Sequence, residues 1–135
     1  MSTVKAANLQ NTGSGAPTFQ NSSGTEIGQL CKAWVNFNGT GTVAIRDSFN
    51  VSSIADLGVG EYTINFTNAL ANANYAVAGS VGELGSTGNS DSFFGAARDT
   101  NYSDIQTTTS KRVTSCSAGG LNTDRSVVLA IIIGD

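Results

Sequence analysis

Between residues 32 and 67, two apolar runs flank Asn38-Gly39-Thr40-Gly41, and an alternating segment follows them. The runs cover residues 33–37 and 43–49. Asn-Gly between apolar runs is a hairpin signal, because both residues tolerate the positive φ of a tight turn. In residues 61–67, Tyr62, Ile64 and Phe66 fall on one face, with Thr63, Asn65 and Thr67 on the other. That is the period of a strand with one buried face. The stretch reads as an antiparallel β-module, with residues 55–60 as the turn before the alternating strand.

The rest of the chain adds short strands to this module. Residues 75–81 place Tyr75, Val77, Gly79 and Val81 on one face, and residues 92–97 form a short strand in a loop-rich stretch. Residues 105–110 and 111–117, rich in Thr, read as edge-like strands. Residues 126–133 are apolar without alternation, the mark of a strand covered on both faces. About seven short strands punctuated by Gly and Asn indicate an all-β fold, an antiparallel β-sandwich. Residues 1–30 differ. Val4, Leu9, Phe19 and Ile27 are the only large apolar side chains before residue 30 apart from Met1, too few for a core. The expected organisation is an extended N-terminal anchoring arm, residues 1–30, and a knob-like β-sandwich domain, residues 31–135. A short strand such as residues 18–20 is suited to adding to a neighbour's sheet edge.

Composition narrows the function. The chain has 135 residues, a formal charge of -3 and no His. Its three Lys and four Arg are scattered, so the basic stripe of a nucleic-acid binder is missing. The longest apolar run is too short for a membrane-spanning helix, and the opening Met1-Ser2-Thr3-Val4-Lys5 has no apolar leader. Synthesis in a host cytoplasm is therefore expected, with Cys31 and Cys116 as free thiols.

Catalytic and cofactor patterns fail on inspection. Gly39-Thr40-Gly41-Thr42-Val43-Ala44 matches a dinucleotide fingerprint, but the pattern acts only where it opens a helix, and residues 43–49 are strand-like. Without His, Ser-His-Asp and Cys-His nucleophile systems are excluded. Asp91, Asp99 and Asp104 share one loop-rich region, and Asp47 and Glu61 are placed to face each other across the hairpin region. Solvated acids account for both groups, and no device to raise a carboxyl pKa is visible. Asp99, Asn101 and Asp104 lack the spacing of a calcium loop. The reading is a non-enzyme without cofactor or metal. Trp34 lies opposite Ala33, Val35 and Phe37 in the alternation. Core or interface packing is the economical account of it, and a carbohydrate platform is the alternative.

A resemblance carries the reading further. Residues 32–46, Lys-Ala-Trp-Val-Asn-Phe-Asn-Gly-Thr-Gly-Thr-Val-Ala-Ile-Arg, together with residues 48–54 and 62–67, resemble a domain of bacteriophage tail-fibre and related virion proteins. The likeness covers about residues 31–81, and the opening five residues are similar to those of short phage fibre proteins. It departs at residues 55–60, where relatives carry a Thr/Asn-rich turn. The resemblance implies a virion structural protein, a homotrimeric short tail fibre or receptor-binding adhesin for host attachment, on the tail rather than the capsid. A capsid-decorating head fibre is the alternative. Other virion proteins would hold the arm through Val4, Leu9, Phe19 and Ile27. Val127, Leu129 and Ile131 would form the oligomer interface. The receptor, a host-surface glycan or protein, would meet residues 82–104 through Phe94, Arg98, Tyr102 and Asp104.

Overall fold

The computed structural model describes residues 18–85, 92–96, 106–117 and 119–134. Val4, Leu9, Arg98, Tyr102 and Asp104 lie outside them. The described residues are all-β, and the chain divides between Leu30 and Cys31 into two units.

The first unit contains a small hairpin, β1 (Phe19–Gln20) with β2 (Glu26–Gly28). Asn21 makes the turn: its Oδ1 accepts from the backbone N–H of Ser23 at 2.9 Å and of Thr25 at 3.0 Å, and Gly24 supplies the positive φ of 78°. Within residues 18–20, Phe19 and Gln20 pair with β2 of their own chain. A local Asx turn closes that hairpin at little entropic cost. Phe19 and Ile27 remain exposed, Ile27 at 67%.

The second unit is a sandwich of two four-stranded antiparallel sheets. Its strands are β3 (Cys31–Asn38), β4 (Ala44–Phe49), β5 (Val51–Gly58), β6 (Glu61–Phe66), β7 (Ala76–Gly82), β8 (Ser92–Ala96), β9 (Ser110–Ser117) and β10 (Val127–Ile133). The first sheet has the order β4-β3-β10-β7 and the second β5-β6-β9-β8. Alternation decides which side chains meet between them. Ala33, Val35 and Phe37 of β3 and Val128, Ala130 and Ile132 of β10 face Tyr62, Ile64 and Phe66 of β6 and Val113 of β9. Phe37 and Tyr62 pack edge-on at 5.1 Å between ring centroids, as do Phe66 and Tyr75 at 5.9 Å.

The β3–β4 connection is a hairpin, but its chemistry differs from a two-residue Asn-Gly turn. Asn38 and Gly39 do not take positive φ; Gly41 does, at 60°. The Asn38 side chain spans the loop, donating to the Thr40 carbonyl at 2.7 Å. Gly39 is required by crowding, since a Cβ there would lie 2.5 Å from the Tyr62 hydroxyl. Residues 55–58 belong to β5 rather than to a turn, which shrinks to Val59 and Gly60.

At Asn50 the chain leaves one sheet for the other without a loop. Asn50 is the one described non-glycine residue with positive φ, 55°. Its amide donates to the carbonyls of Lys32 (3.0 Å) and Asn68 (3.2 Å), and its Oδ1 accepts from the Asn68 N–H at 2.8 Å. A short amide side chain both tolerates that backbone conformation and satisfies the corner's polar groups. Asp47 and Glu61, expected to face each other, fall on different sheets. Glu61 pairs with Arg112 at 2.8 Å instead.

One further expectation is corrected. β9 is not an edge strand, since it lies between β6 and β8. Its Thr114 and Ser115 are buried, and Ser115 Oγ donates to the Thr123 carbonyl. β10 is central, between β3 and β7, but its own chain covers only one of its faces. Val128, Ala130 and Ile132 are buried, whereas Ile131 and Ile133 are 38% and 42% exposed.

Candidate functional site

Register assigns the outer face of the first sheet. Phe49, Trp34, Ile131 and Ala78 form one row across the four strands, and Asp47, Asn36, Leu129 and Ser80 form the next. Cys31, Ile133 and Ala76 form a third. All of these residues point away from the core, because directly paired residues share a face. Trp34 and Leu129 are half-buried and Phe49 is exposed. The core account of Trp34 is therefore set aside, and its ring stands on the outer face. Between β3, β10 and β7 lies a shallow groove of about 450 Å³ lined by Trp34, Asn36, Ala78, Ser80, Leu129 and Ile131.

One margin of this face is polar. A bulge between Asn36 and Phe37 leaves Arg46 without a partner residue on β3. Its guanidinium donates to Asn36 Oδ1 at 3.3 Å and to the Ser126 carbonyl, tying β4 to the start of β10. The expected interface residues Val127, Leu129 and Ile131 all lie on the outer side of β10, Val127 and Leu129 half-buried and Ile131 exposed.

Phe94, expected on a receptor loop, sits within β8 and is half-buried against the core cluster. Its ring rests on Gly79 of β7: a Cβ at residue 79 would lie 2.6 Å from Phe94 Cγ. The structure does not bring it together with another described member of the expected receptor set, because the other three lie outside the described residues.

At one end of the sandwich an internal polar knot fixes three connections. Asp124 Oδ1 accepts from the Gly60 N–H at 2.6 Å and lies 3.2 Å from the Tyr62 hydroxyl, which donates to the Gly39 carbonyl at 2.8 Å. Burial pushes the Tyr62 phenol up to about 12, with the negative charge of Asp124 contributing. At the opposite end the Tyr75 hydroxyl meets the carbonyls of Ser110 (2.9 Å) and Thr107 (3.0 Å), and burial likewise raises it to about 12.

Cys31 and Cys116 are free thiols, on β3 and β9. Among the described residues no three His, Cys, Asp or Glu side chains cluster as metal ligands do. No helix among them is long and apolar enough to cross a membrane. Sequence reasoning found the β10 part of the outer face but missed Phe49, whose position depends on its register with Trp34. Compared with family models, with curated proteins and with solved structures, the chain matches none.

Proposed function

We propose that the chain is a bacteriophage virion protein, a short tail fibre that attaches the particle to its host as a homotrimer. Residues 1–30 are its anchor and residues 31–135 its knob. One observation carries the reading: the apolar outer face built by Phe49, Trp34, Leu129, Ile131 and Ile133. Strand spacing and rise give that face an extent on the order of 400 Å². Contiguous apolar patches of that size on soluble proteins are commonly contact surfaces.

Three copies closing on one axis can each turn the apolar face toward a neighbour, joined by the heterologous contacts from which cyclic rings are built. The sequence resemblance supplies the number three and the virion setting. A rigid trimer then presents each receptor site three times, so weak individual contacts gain effective concentration. No catalytic step enters this mechanism.

Light scattering of the purified chain tests the assembly, with a trimer expected at micromolar concentration. A stable monomer overturns it. Gold-labelled antibody against the knob, imaged on whole particles, tests the location. Label at the tail is expected, and label confined to the capsid surface replaces attachment with capsid decoration.

A further inference from the structure

A second cavity lies on the opposite side of the first sheet, at the flank where β7 faces β8. It encloses about 270 Å³ and is lined by Val77, Phe94, Gly95, Gln106 and Lys111. Lys111 is the unexpected member. It pairs with Ile64 across β6–β9 and shares the inward side of β9 with Val113, so a lysine occupies a core-facing register position. It is only 6% exposed.

Burying an ammonium is costly unless a counter-charge accompanies it. The partner present is neutral: Lys111 Nζ donates to Gln106 Oε1 at 3.0 Å. That amide cannot rotate freely, because Gln106 Nε2 donates to the carbonyls of Ala73 at 2.6 Å and Tyr75 at 2.9 Å. Its oxygen is thereby held toward the lysine. An ammonium carries three donors, and Gln106 accepts one. Among the described residues the ion pairs are Arg112–Glu61 and Arg125–Glu83, and neither involves Lys111. Burial also lowers the Lys111 pKa from 10.5, because desolvation disfavours the charged form.

The cavity therefore combines a desolvated cation and the fixed Gln106 amide with the Phe94 ring and the Val77 side chain, and its lining is more polar than apolar. Its volume corresponds to roughly nine waters at about 30 Å³ each, the scale of one six-membered ring with substituents. Fixed polar groups converging on a concavity beside an aromatic wall are a usual feature of a small-ligand site.

We propose that this cavity binds the carboxylate of a monosaccharide-sized acid, with Lys111 Nζ as the anchor and Phe94 as the wall against which the ring lies. The carboxylate supplies the counter-charge that no described residue gives Lys111 and accepts the ammonium donors that Gln106 leaves over. The ligand's source is either an acidic sugar residue or a free small organic acid. Choosing the acidic sugar rests on the attachment function proposed above; the carboxylate site itself does not.

The test uses the full chain with labelled lysine side chains, followed by NMR. The chain has three lysines, Lys5, Lys32 and Lys111. The variants Lys5→Arg and Lys32→Arg assign the Lys111 signal by elimination without touching the cavity. Sodium glucuronate, N-acetylneuraminate and benzoate are the acid probes, and glucose is the neutral control. Saturable movement of the Lys111 signal by an acid probe is expected, with glucose at least tenfold weaker. Lys111→Met is expected to weaken acid binding at least tenfold while the circular dichroism spectrum stays unchanged. A Lys111 signal that no acid probe moves overturns the site, as does equal binding by glucose and glucuronate. Response to the sugar acids supports the glycan source. Response to benzoate alone supports the site and overturns that source. Oligomeric state is measured separately, so a trimer that binds no acid overturns this site and leaves the assembly reading standing.

Discussion

Gly79 lies directly beneath the ring of Phe94, close enough that a Cβ would stand 2.6 Å from Phe94 Cγ and would also strike the Leu129 carbonyl. One sheet edge thus leans on the other through an aromatic ring and a bare backbone. Gly79→Ala is expected to destabilise the sandwich by about 1–3 kcal/mol, the usual cost of overpacking. Because the carbonyl belongs to the central strand β10, it cannot move aside as a flexible side chain would. Urea unfolding of the variant beside the parent measures the loss.

Neighbouring isoleucines on β10 separate folding from assembly. Ile132 is fully buried and Ile131 faces outward. Ile132→Ala is expected to cost about 2–5 kcal/mol by opening a core cavity. Ile131→Lys is expected to leave the circular dichroism spectrum unchanged and to convert the proposed trimer to monomers. Light scattering and thermal melts on both variants check the contrast.

Alkaline pH should unfold the sandwich through its two buried phenols. Tyr62 and Tyr75 are both raised from 10.0 to about 12, chiefly by burial. Unfolded tyrosines ionise near pH 10, so the native state holds the extra protons between pH 10 and 12. Stability is therefore intact below pH 10 and is lost as pH rises toward 12. Asp124 and Asp56 add to the effect at Tyr62. Each phenol contributes on the order of 2–3 kcal/mol over that window. Tyr62→Phe should flatten part of this dependence, read by unfolding titrations at pH 9, 10 and 11.

Asp124 is expected to matter more than its place in a loop suggests. It accepts the Gly60 N–H and faces the Tyr62 hydroxyl. Asp124→Ala leaves that N–H without its acceptor, a loss of about 1–3 kcal/mol. Asp124→Asn keeps an oxygen acceptor and should recover most of the difference. Chemical denaturation of the pair distinguishes loss of the hydrogen bond from loss of charge.

The strands that were legible from sequence are those whose two faces differ in polarity. Tyr62, Ile64 and Phe66 alternate with Thr63, Glu61 and Asn65, and the pattern leaves one solution. β10 was read only in part, since isoleucine stands on both of its faces and apolarity alone cannot tell a core from an uncovered surface. β9 was misread because Thr114 and Ser115 look like surface residues, although both are buried and Ser115 Oγ is satisfied by the Thr123 carbonyl. The Asn38-Gly39 turn was located correctly but for another reason: Gly39 is demanded by the Tyr62 hydroxyl rather than by positive φ. Of the candidate sites, the Lys111 cavity was invisible. It needs Gln106 beside Lys111 and β7 beside β8, and the second adjacency has no local signature. The one hint was the short Thr107-Thr108-Thr109 spacing between Gln106 and Lys111, which forces a tight return.

Cys31 and Ile133 are paired neighbours at one end of the central strands β3 and β10. The chain thus enters and leaves the sandwich at the same end, on adjacent antiparallel strands. A pull applied between these two points would open the β3–β10 ladder one rung at a time, like a zipper, instead of loading all its hydrogen bonds together. Such a module resists little tension along its own chain. If the proposed assembly over the apolar face bears load, its strength is set by the contacts between chains rather than by this ladder.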